Sequence, residues 1–430
     1  MPDVVELLRE LIRFDTTNPP GNEETCVAYV ESLLHARGIA TERYERTPGR
    51  PNLVARHSGS AGGPPLLLYG HVDVVTTAGQ QWTHPPFAAE LVDGVVWGRG
   101  ALDMKGGVAM IVRAFLDAVA ADSPTPLVLL ILSDEEDGGD EGAVFIADEH
   151  PGALGGARHA LGEFGGASQT IAGRRFYPIQ VAEKQICWLR VRVRGNAGHA
   201  ALGAKGSANV RLARVVQALE RRQPPVHITP IVREWFETMA AHLPRAQGVV
   251  LRQLLNPRLA DVAARAIGKP ILGRVIRNTA AATIVRGGEK INVIPAAAEL
   301  ELDGRILPGQ TPDDLIREVY DIVGRDGVEI ELVRHDAGPP VPDMSKFELL
   351  ADTIRALDPE GIPVPMLQAG VTDARHLARA GVQTYGFLPL KLPDDFDVAP
   401  LIHNADERVP VDALRFGVEA ISRVIAGYPS

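Results

Sequence analysis

Residues Pro126–Gly142 read PLVLLILSDEEDGGDEG. The run Leu127–Leu132 is continuously apolar and short, which is typical of a strand buried on both faces of a helix-covered parallel sheet. Four carboxylates follow in Asp134–Asp137, and two glycines then allow the chain to turn. Adjacent anions repel one another, so a desolvated loop would need a group that neutralises them, and a divalent cation is the most economical candidate. A solvated acidic loop also explains such a run, so other motifs must decide between the two.

Length and composition set the broad class of the protein. The 430 residues are enough for two or three domains, and 45% hydrophobic with 23% charged residues is ordinary for a globular protein. The net charge of −10 argues against a nucleic-acid or anionic-membrane partner. Two cysteines provide no disulfide framework, and the acidic residues near the N-terminus lead us to expect no secretory signal. We therefore expect a cytoplasmic enzyme with no membrane partner.

The pattern of apolar and polar residues changes twice along the chain. Residues 1–183 and 337–430 combine short apolar strands with amphipathic helices, which predicts one discontinuous α/β catalytic domain with a mostly parallel central sheet flanked by helices. Residues 184–336 contain strands such as Gln185–Arg194, in which apolar and polar positions alternate. They predict an inserted α+β lid or dimerisation domain with a four-stranded antiparallel sheet and two helices. Residues 229–273 form an extra insertion, predicted to be helical at Val232–Ala241 and Ala246–Ile267.

Other predicted strands also end in groups that can bind a metal. Leu66–Tyr69 runs into His71 and Asp73, which lie on one face of the strand because they are two residues apart. That spacing suits an imidazole ligand oriented by a carboxylate. Asp103 lies in a turn with glycines on both sides of it, and Glu163 follows another short apolar run. Since functional groups of open α/β sheets gather at the carboxyl ends of the strands, we expect these side chains to converge.

Eight ordered blocks of the chain resemble a known family. They are GHVDVV, WGRGALDMKGG, LSDEEDGG, the isolated Glu163, GHAAL, GEKINVIPAAAELELDGRILPG, GVTDAR and IHNADERV. Together they are similar to the cocatalytic dinuclear zinc amidohydrolases and metallopeptidases, a family that includes aminoacylase, glutamate carboxypeptidase, carboxypeptidase S and succinyl-diaminopimelate desuccinylase. The resemblance covers the chain outside residues 229–273, and it looks strongest to the carboxypeptidase S branch.

The resemblance implies a metal site with a defined ligand set. His71 and Glu163 would bind one zinc ion, Glu136 and His403 the other, and Asp103 would bridge both, ahead of a cis peptide bond to Met104. It further implies that Asp73 orients His71 and that Glu135 is the general base. Imidazole nitrogens and carboxylate oxygens are zinc ligands, although the same set also accepts Co²⁺ or Mn²⁺. We expect two Zn²⁺ ions per chain.

The lid would complete the site by resemblance. His199 resembles the histidine that reaches a neighbouring subunit's site and stabilises the oxyanion, which implies a homodimer formed through the lid domain. Asn292 and Arg305 resemble residues that bind the substrate carboxylate, and an arginine fork matches a carboxylate through two parallel hydrogen bonds. Gly370 and Thr372, with Asp373, are expected to form a loop around the substrate.

These expectations define one function and two alternatives. The first is zinc-dependent hydrolysis of the amide bond of a small peptide or N-acyl amino acid with a free carboxylate, by a metal-bound hydroxide with a glutamate base. The second is an aminoacylase or deacetylase of amino-acid biosynthesis. The third is a catalytically silent, metal-free binding relative. The sequence leaves the side-chain and acyl specificity open.

Overall fold

The structure is a computed structural model that describes residues 2–203 and 205–428. The chain separates into two compact units. The first unit contains the residues up to 181, residues 342–366 and the residues from 372 onward, and the second contains residues 182–341 and 367–371. The domain boundaries expected after residues 183 and 336 stay a prediction.

The first unit begins with an alternation of helices and strands. Its elements up to residue 183 are α1 (Val4–Arg13), α2 (Glu24–His35), β1 (Thr41–Glu45), β2 (Pro51–His57), β3 (Leu66–His71), β4 (Glu90–Val92), β5 (Val95–Trp97), α3 (Lys105–Ala120), β6 (Leu127–Leu132), α4 (Ala143–Glu149), β7 (His159–Gly162), β8 (Gln169–Ile171) and β9 (Arg174–Glu183).

The second unit follows directly. It contains β10 (Gln185–Arg194), β11 (Gly198–His199), α5 (Ala208–Arg221), α6 (Pro230–His242), α7 (Arg245–Arg252), α8 (Ala260–Ile267), α9 (Pro270–Arg274), β12 (Thr279–Arg286), β13 (Val293–Ile294), β14 (Ala297–Ile306), α10 (Pro312–Val323) and β15 (Val328–His335). The chain then returns through α11 (Phe347–Leu357), β16 (Gly361–Gln368), α12 (Ala374–Arg379), β17 (Gln383–Gly386), β18 (Arg408–Pro410) and α13 (Val411–Gly427).

The large sheet of the first unit has the strand order β1-β2-β6-β3-β7-β17-β9-β16, with β8 paired to β9. Strands β6, β3, β7 and β17 are mutually parallel, whereas β2 pairs with β6, and β9 with β17, in the antiparallel sense. The predicted α/β class with a mostly parallel central sheet is confirmed. Because β3, β6 and β7 run in the same direction, their carboxyl ends reach the same edge of the sheet.

Strand β6 lies inside the sheet because every one of its side chains is apolar. All residues of Leu127–Leu132 are buried, and Val128, Leu130 and Leu132 belong to a core cluster that also contains Leu67 and Tyr69 of β3. A strand with apolar residues on both faces needs a covering layer on each, and this fixes its central position.

Helix α1 shows the same agreement between local signals and burial. The Asp3 side chain accepts hydrogen bonds from the backbone N–H groups of Val5 and Glu6, at 3.0 and 2.9 Å, and so caps the helix. Its apolar stripe is buried, namely Val4, Val5, Leu7, Leu8, Leu11 and Ile12.

The second unit contains the expected four-stranded antiparallel sheet, in the order β12-β14-β10-β15. Alternate residues of β10 point into its core, which includes Leu189, Val191 and Val193 together with Leu212 of α5 and Leu315 of α10. Polar partners lie on the other face, where Arg192 Nε donates to Glu299 Oε1 at 2.7 Å. The two-residue period of the sequence therefore gives a sheet with one face covered by helices.

The insertion at residues 229–273 departs from the prediction in one respect. A single helix expected over Ala246–Ile267 is wrong, because α7 ends at Arg252 and α8 begins at Ala260. Pro257 lies in the break, and the residue before a proline disfavours helical dihedrals, so Asn256 adopts extended geometry. Among the residues that the structure describes, no helix combines the length and apolar character required to cross a bilayer.

Candidate metal centre

Two histidines and four acids meet in the first unit, beside the ends of its parallel strands. His71 is the last residue of β3, and Glu163 directly follows β7. Asp103 precedes α3, and His403 lies in the loop before β18. Glu135 and Glu136 begin a 3₁₀ turn, Glu135–Asp137, that follows β6.

The carboxylate of Asp103 lies between the two imidazoles. Its Oδ1 atom is 3.4 Å from His71 Nε2, and its Oδ2 atom is 3.2 Å from His403 Nε2. Each imidazole also has a carboxylate of its own, because His71 Nε2 is 3.4 Å from Glu163 Oε2 and His403 Nε2 is 3.2 Å from Glu136 Oε2. The result is two half-clusters that share one aspartate. The peptide bond from Asp103 to Met104 is cis.

These side chains fit a pair of divalent cations. A tetrahedral site with bonds of about 2.0–2.1 Å has ligand atoms about 3.3–3.4 Å apart, close to the separations found here. His71 Nε2, Glu136 Oε1 and Glu163 Oε1 are buried and form no hydrogen bond to any described residue. Buried polar atoms without partners are costly, so they favour a ligand that satisfies several of them together.

The electrostatics of the cluster also favour positive charge. Burial raises the pKa of Glu163 and of Glu136 above the ordinary glutamate value. Hydrogen bonds that the His403 imidazole donates to the carboxylates of Asp103 and Glu136 raise the pKa of His403 to about 10. Burial alone would lower the pKa of His71, but the carboxylates of Asp103, Asp73 and Glu163 outweigh it and raise the pKa well above its usual range. Protons or cations therefore have to balance these acids.

Glu135 lies next to the ligand candidate Glu136. Its side chain is half-buried, and desolvation, followed by the charge of Glu163, raises its pKa well above the ordinary value. A ring nitrogen of His71 and one carboxylate oxygen each from Glu135 and Glu163 all lie within 4.8 Å of one another. This places a carboxylate beside the candidate metal ligands, which is the position that a general base requires.

Asp73 has more partners than the sequence indicated. His71 Nδ1 is 3.1 Å from its backbone oxygen and 3.3 Å from its Oδ1 atom, in line with the expected orienting contact. The carboxylate of Asp73 also accepts the backbone N–H groups of Glu135 at 3.1 Å and Glu136 at 3.0 Å, and the Asn18 side chain at 2.9 Å. One buried carboxylate therefore holds both the β3 end and the acidic turn.

The acidic turn is supported by residues that sequence reasoning missed. Asp134 has a left-handed backbone with φ of +72°, and its Oδ1 atom accepts from Asn18 Nδ2 at 2.9 Å. Arg50 Nη1 lies 3.0 Å from the same Asp134 atom, and Arg50 also binds Glu23. Asn18 and Arg50 carry no local motif, so only the fold brings them to the turn.

A comparison with protein-family models identifies the chain. Residues 67–427 match the model described as peptidase family M20/M25/M40. The chain belongs to this family. The resemblance seen in its motifs is therefore confirmed, and this M20 protein is an enzyme of the metallopeptidase and amidohydrolase class.

Named relatives are similar to this M20 chain over most of its length, as two of them show. The probable carboxypeptidase S-like 2 of Dictyostelium discoideum is 30% identical over 368 residues, which span 81% of this chain and 68% of the relative. The N-fatty-acyl-amino acid synthase/hydrolase PM20D1 of Mus musculus is 30% identical over 380 residues, which span 84% of this chain and 73% of the relative.

Solved structures share the M20 fold at low sequence identity. A metallo-carboxypeptidase of the family from Sulfolobus solfataricus matches with a TM-score of 0.69 and 16% identity, over 100% of both chains. A dinuclear metal-binding M20 peptidase from Bacillus subtilis matches with a TM-score of 0.59 and 14% identity, over 99% of this chain and 97% of its own. These similarities support the fold.

Four of the predicted site residues lie in the second unit. His199 is exposed and accepts the Ala201 N–H through Nδ1, and it pairs with Val293 across the short ladder of β11 and β13. The adjacent Asn292 accepts the Ala200 N–H through its backbone oxygen at 3.0 Å. Arg305, on β14, donates to both oxygens of Asp303, and Gly370 lies in the segment 367–371. Their roles toward a substrate stay predictions.

Thr372 and Asp373 lie at the start of α12 in the first unit. Thr372 is fully buried, and its hydroxyl accepts the Ala374 N–H at 3.1 Å. Burial, followed by the charge of Glu163, raises the pKa of Asp373 to about 8, and neither carboxylate oxygen has a hydrogen-bond partner among the described residues. The predicted contact of this loop with substrate stays a prediction.

Proposed function

We propose that this M20 enzyme hydrolyses the amide bond of a small peptide or an N-acyl amino acid that carries a free carboxylate, with two Zn²⁺ ions per chain. The observation that supports it most is the placement of Asp103, whose two oxygens face two different imidazoles at 3.4 and 3.2 Å. A carboxylate shared in this way is typical of two-metal hydrolases.

His71, Glu163 and Asp103 would hold one cation, and His403, Glu136 and Asp103 the other. Zinc fits the mixture of imidazole and carboxylate ligands, and the same donors accept Co²⁺ or Mn²⁺. Cations held by these residues would supply Lewis-acid chemistry, by lowering the pKa of a bound water molecule and polarising a carbonyl group.

Glu135 is the proposed general base. Its carboxylate takes a proton from the attacking water and returns it to the nitrogen of the leaving amine as the C–N bond breaks. The raised pKa of Glu135 suits the first transfer, because a carboxylate with a higher pKa is a stronger base toward the attacking water. Asp73 holds Glu135 in place, because its carboxylate accepts a hydrogen bond from the Glu135 backbone N–H.

The names of the relatives support the substrate class. One relative is named as carboxypeptidase S-like, and the other as acting on N-fatty-acyl amino acids. Peptides with a free C-terminus and N-acyl amino acids share an amide bond next to a carboxylate-bearing carbon. Arg305 is the proposed carboxylate-binding residue. Its Nη1 group is buried and has no hydrogen-bond partner among the described residues, so it is available to a substrate carboxylate. Asn292, Gly370 and Thr372 are further proposed substrate-binding residues.

We further propose a homodimer in which His199 of one chain stabilises the oxyanion in the site of the other. This part of the proposal rests on the family resemblance and on the exposure of His199 in the second unit. Its test is a mixture of two inactive variants, Glu135→Gln and His199→Ala. Recovery of hydrolysis after mixing supports a shared site, whereas two variants that stay inactive together contradict it.

The proposed activity is tested with a panel of N-acyl amino acids and dipeptides, using protein loaded with Zn²⁺. Hydrolysis of carboxylate-bearing amides, lost on chelation and restored by Zn²⁺, is the expected result. A protein that contains less than one zinc ion per chain after metal-replete purification, and that hydrolyses no member of the panel, would be the silent binding relative instead.

A further inference from the structure

Glu407 is a buried acid that the proposed mechanism does not use. It is 0% exposed, and its carboxylate binds a loop more than three hundred positions earlier in the chain. Its Oε1 atom accepts the backbone N–H groups of Leu102 at 2.7 Å and Asp103 at 2.9 Å. Its Oε2 atom accepts the Gly100 N–H at 2.9 Å. Three backbone donors aimed at one carboxylate fix the loop that presents Asp103.

Arg99 neutralises Glu407 and extends the network. Its Nη1 atom donates to Glu407 Oε2 at 2.7 Å, and both side chains are almost fully buried. Its Nη2 atom donates to Gln80 Oε1 at 2.9 Å. An ion pair buried in this way is rigid, because moving either partner leaves an uncompensated charge.

Gln80 carries the network to the second histidine. Its Nε2 atom donates to the backbone oxygen of His403 at 2.9 Å. His403 has a left-handed backbone with φ of +59°, a conformation that a non-glycine residue adopts only when its surroundings hold it there. A short chain of contacts therefore joins the backbone of Asp103 to the backbone of His403, through Glu407, Arg99 and Gln80. The imidazole of His403 itself lies 3.2 Å from the Asp103 carboxylate.

We propose that Glu407, Arg99 and Gln80 are positioning residues that hold Asp103 and His403 at a fixed distance from each other. The cation position formed by Asp103, His403 and Glu136 therefore depends on them. This inference rests on the two-cation site of the proposed function. The imidazole of His71 is held by Asp73, outside this network, whereas His403 is held by Gln80, so loss of the network affects the cation position of His403 more than that of His71. Outer contacts of this kind are worth about 10- to 100-fold in metal affinity.

The test compares Glu407→Gln and Gln80→Ala with wild-type protein and with Gln81→Ala. Gln81 is the exposed neighbour of Gln80 and serves as the matched control. Zinc content is measured by mass spectrometry, and the affinity of each position by competition with a chromogenic chelator, using Zn²⁺ alone. We expect two zinc ions in wild type and in Gln81→Ala. In the two network variants we expect one tight zinc ion and a second bound about 10- to 100-fold more weakly.

Gln80→Ala keeps the test decisive if Glu407→Gln fails to fold, since Gln80 is only half-buried. A purely structural role would lower thermal stability but leave both zinc affinities unchanged in folded protein. Wild-type affinity for both zinc ions in folded Gln80→Ala would overturn the inference. Because the readout is zinc binding without substrate, a wild-type protein that binds two zinc ions but hydrolyses nothing contradicts the proposed function alone.

Discussion

The carboxylate of Asp73 accepts the backbone N–H of Glu135 at 3.1 Å. This bond joins the residue expected to orient His71 to the residue expected to act as the base. The same carboxylate holds Glu136 at 3.0 Å, so the end of β3 and the turn after β6 are fixed together. A change at Asp73 is therefore expected to disturb one metal ligand on each side of the site.

Asp73→Asn places an amide N–H₂ group where two backbone N–H groups need an acceptor. We expect zinc affinity to fall about 10- to 100-fold and turnover to fall with it, as for other residues that support metal ligands. Titration with Zn²⁺ and steady-state kinetics measure both effects. Asp140→Asn, in an exposed position of the same acidic stretch, should leave both near wild type. Unchanged zinc affinity in Asp73→Asn would argue against its supporting role.

Glu135→Gln removes the proposed base without removing a proposed ligand. We expect two bound zinc ions, wild-type KM within a few-fold, and kcat lower by about 10²- to 10⁴-fold. Mass spectrometry and steady-state kinetics separate these quantities. Asp137→Asn removes an exposed charge from the same turn and should retain activity. Full turnover in Glu135→Gln would refute the assignment of the base.

Removal of metal is expected to destabilise the protein, because a cation that binds only the folded state adds to the free energy of unfolding. The gain reaches about 4 kcal/mol when free zinc is a thousandfold above its dissociation constant. Differential scanning calorimetry with chelator and with restored Zn²⁺ measures the change in Tm.

His403→Ala is expected to reduce this shift in Tm, since it removes one proposed ligand. His242→Ala changes an exposed histidine on α6 and should leave the shift as in wild type. A Tm that responds equally to zinc in both variants would exclude His403 as a ligand.

Arg305→Ala is expected to reduce kcat/KM more for N-acyl amino acids than for the corresponding carboxamides, because only the former present a carboxylate to the guanidinium. The difference in loss should be about tenfold or more, as is usual for a charge-assisted hydrogen bond. Arg286→Ala, at an exposed position of β12 in the same sheet, is the matched control. Equal losses on both substrate types would count against a carboxylate-binding role.

Asp358 provides a test of stability away from the metal centre. It is buried and accepts hydrogen bonds from Arg175 Nη1 at 2.9 Å, Tyr177 OH at 2.8 Å and Lys391 Nζ at 3.2 Å. Burial would raise the pKa of Asp358, but these three donors outweigh it and lower the pKa below the ordinary value of an aspartate. The stability it contributes is therefore present above about pH 4 and is lost as the pH falls through the lowered value.

Asp358→Asn is expected to lower the free energy of unfolding by about 2 kcal/mol at pH 7 and to flatten its fall below pH 4. Urea unfolding at several pH values measures both. Asp394→Asn removes an exposed acid that also contacts Arg175, at 3.4 Å, and should change stability little. A wild-type pH profile in Asp358→Asn would mean that another acid dominates acid unfolding.

The fold was predicted best where local pattern and burial agree. Strand β6 has the predicted bounds Leu127–Leu132, because a fully apolar run has only the sheet interior to occupy. Strand β16 was missed because Pro363 and Pro365 interrupt its pattern, yet β16 ends the sheet, where proline costs fewer ladder hydrogen bonds. Position in the sheet decided that case.

The sequence alone determined the chemistry available to this protein, since imidazoles and carboxylates at successive strand ends have to be neutralised wherever the strands converge. Only the tertiary structure decided which groups meet. Asp103 lies between His71 and His403, and Asn18, Arg50 and Glu407 support the loops from distant positions. Hydrogen bonds act over about 3 Å in space whatever the separation along the chain, so no local pattern records these contacts.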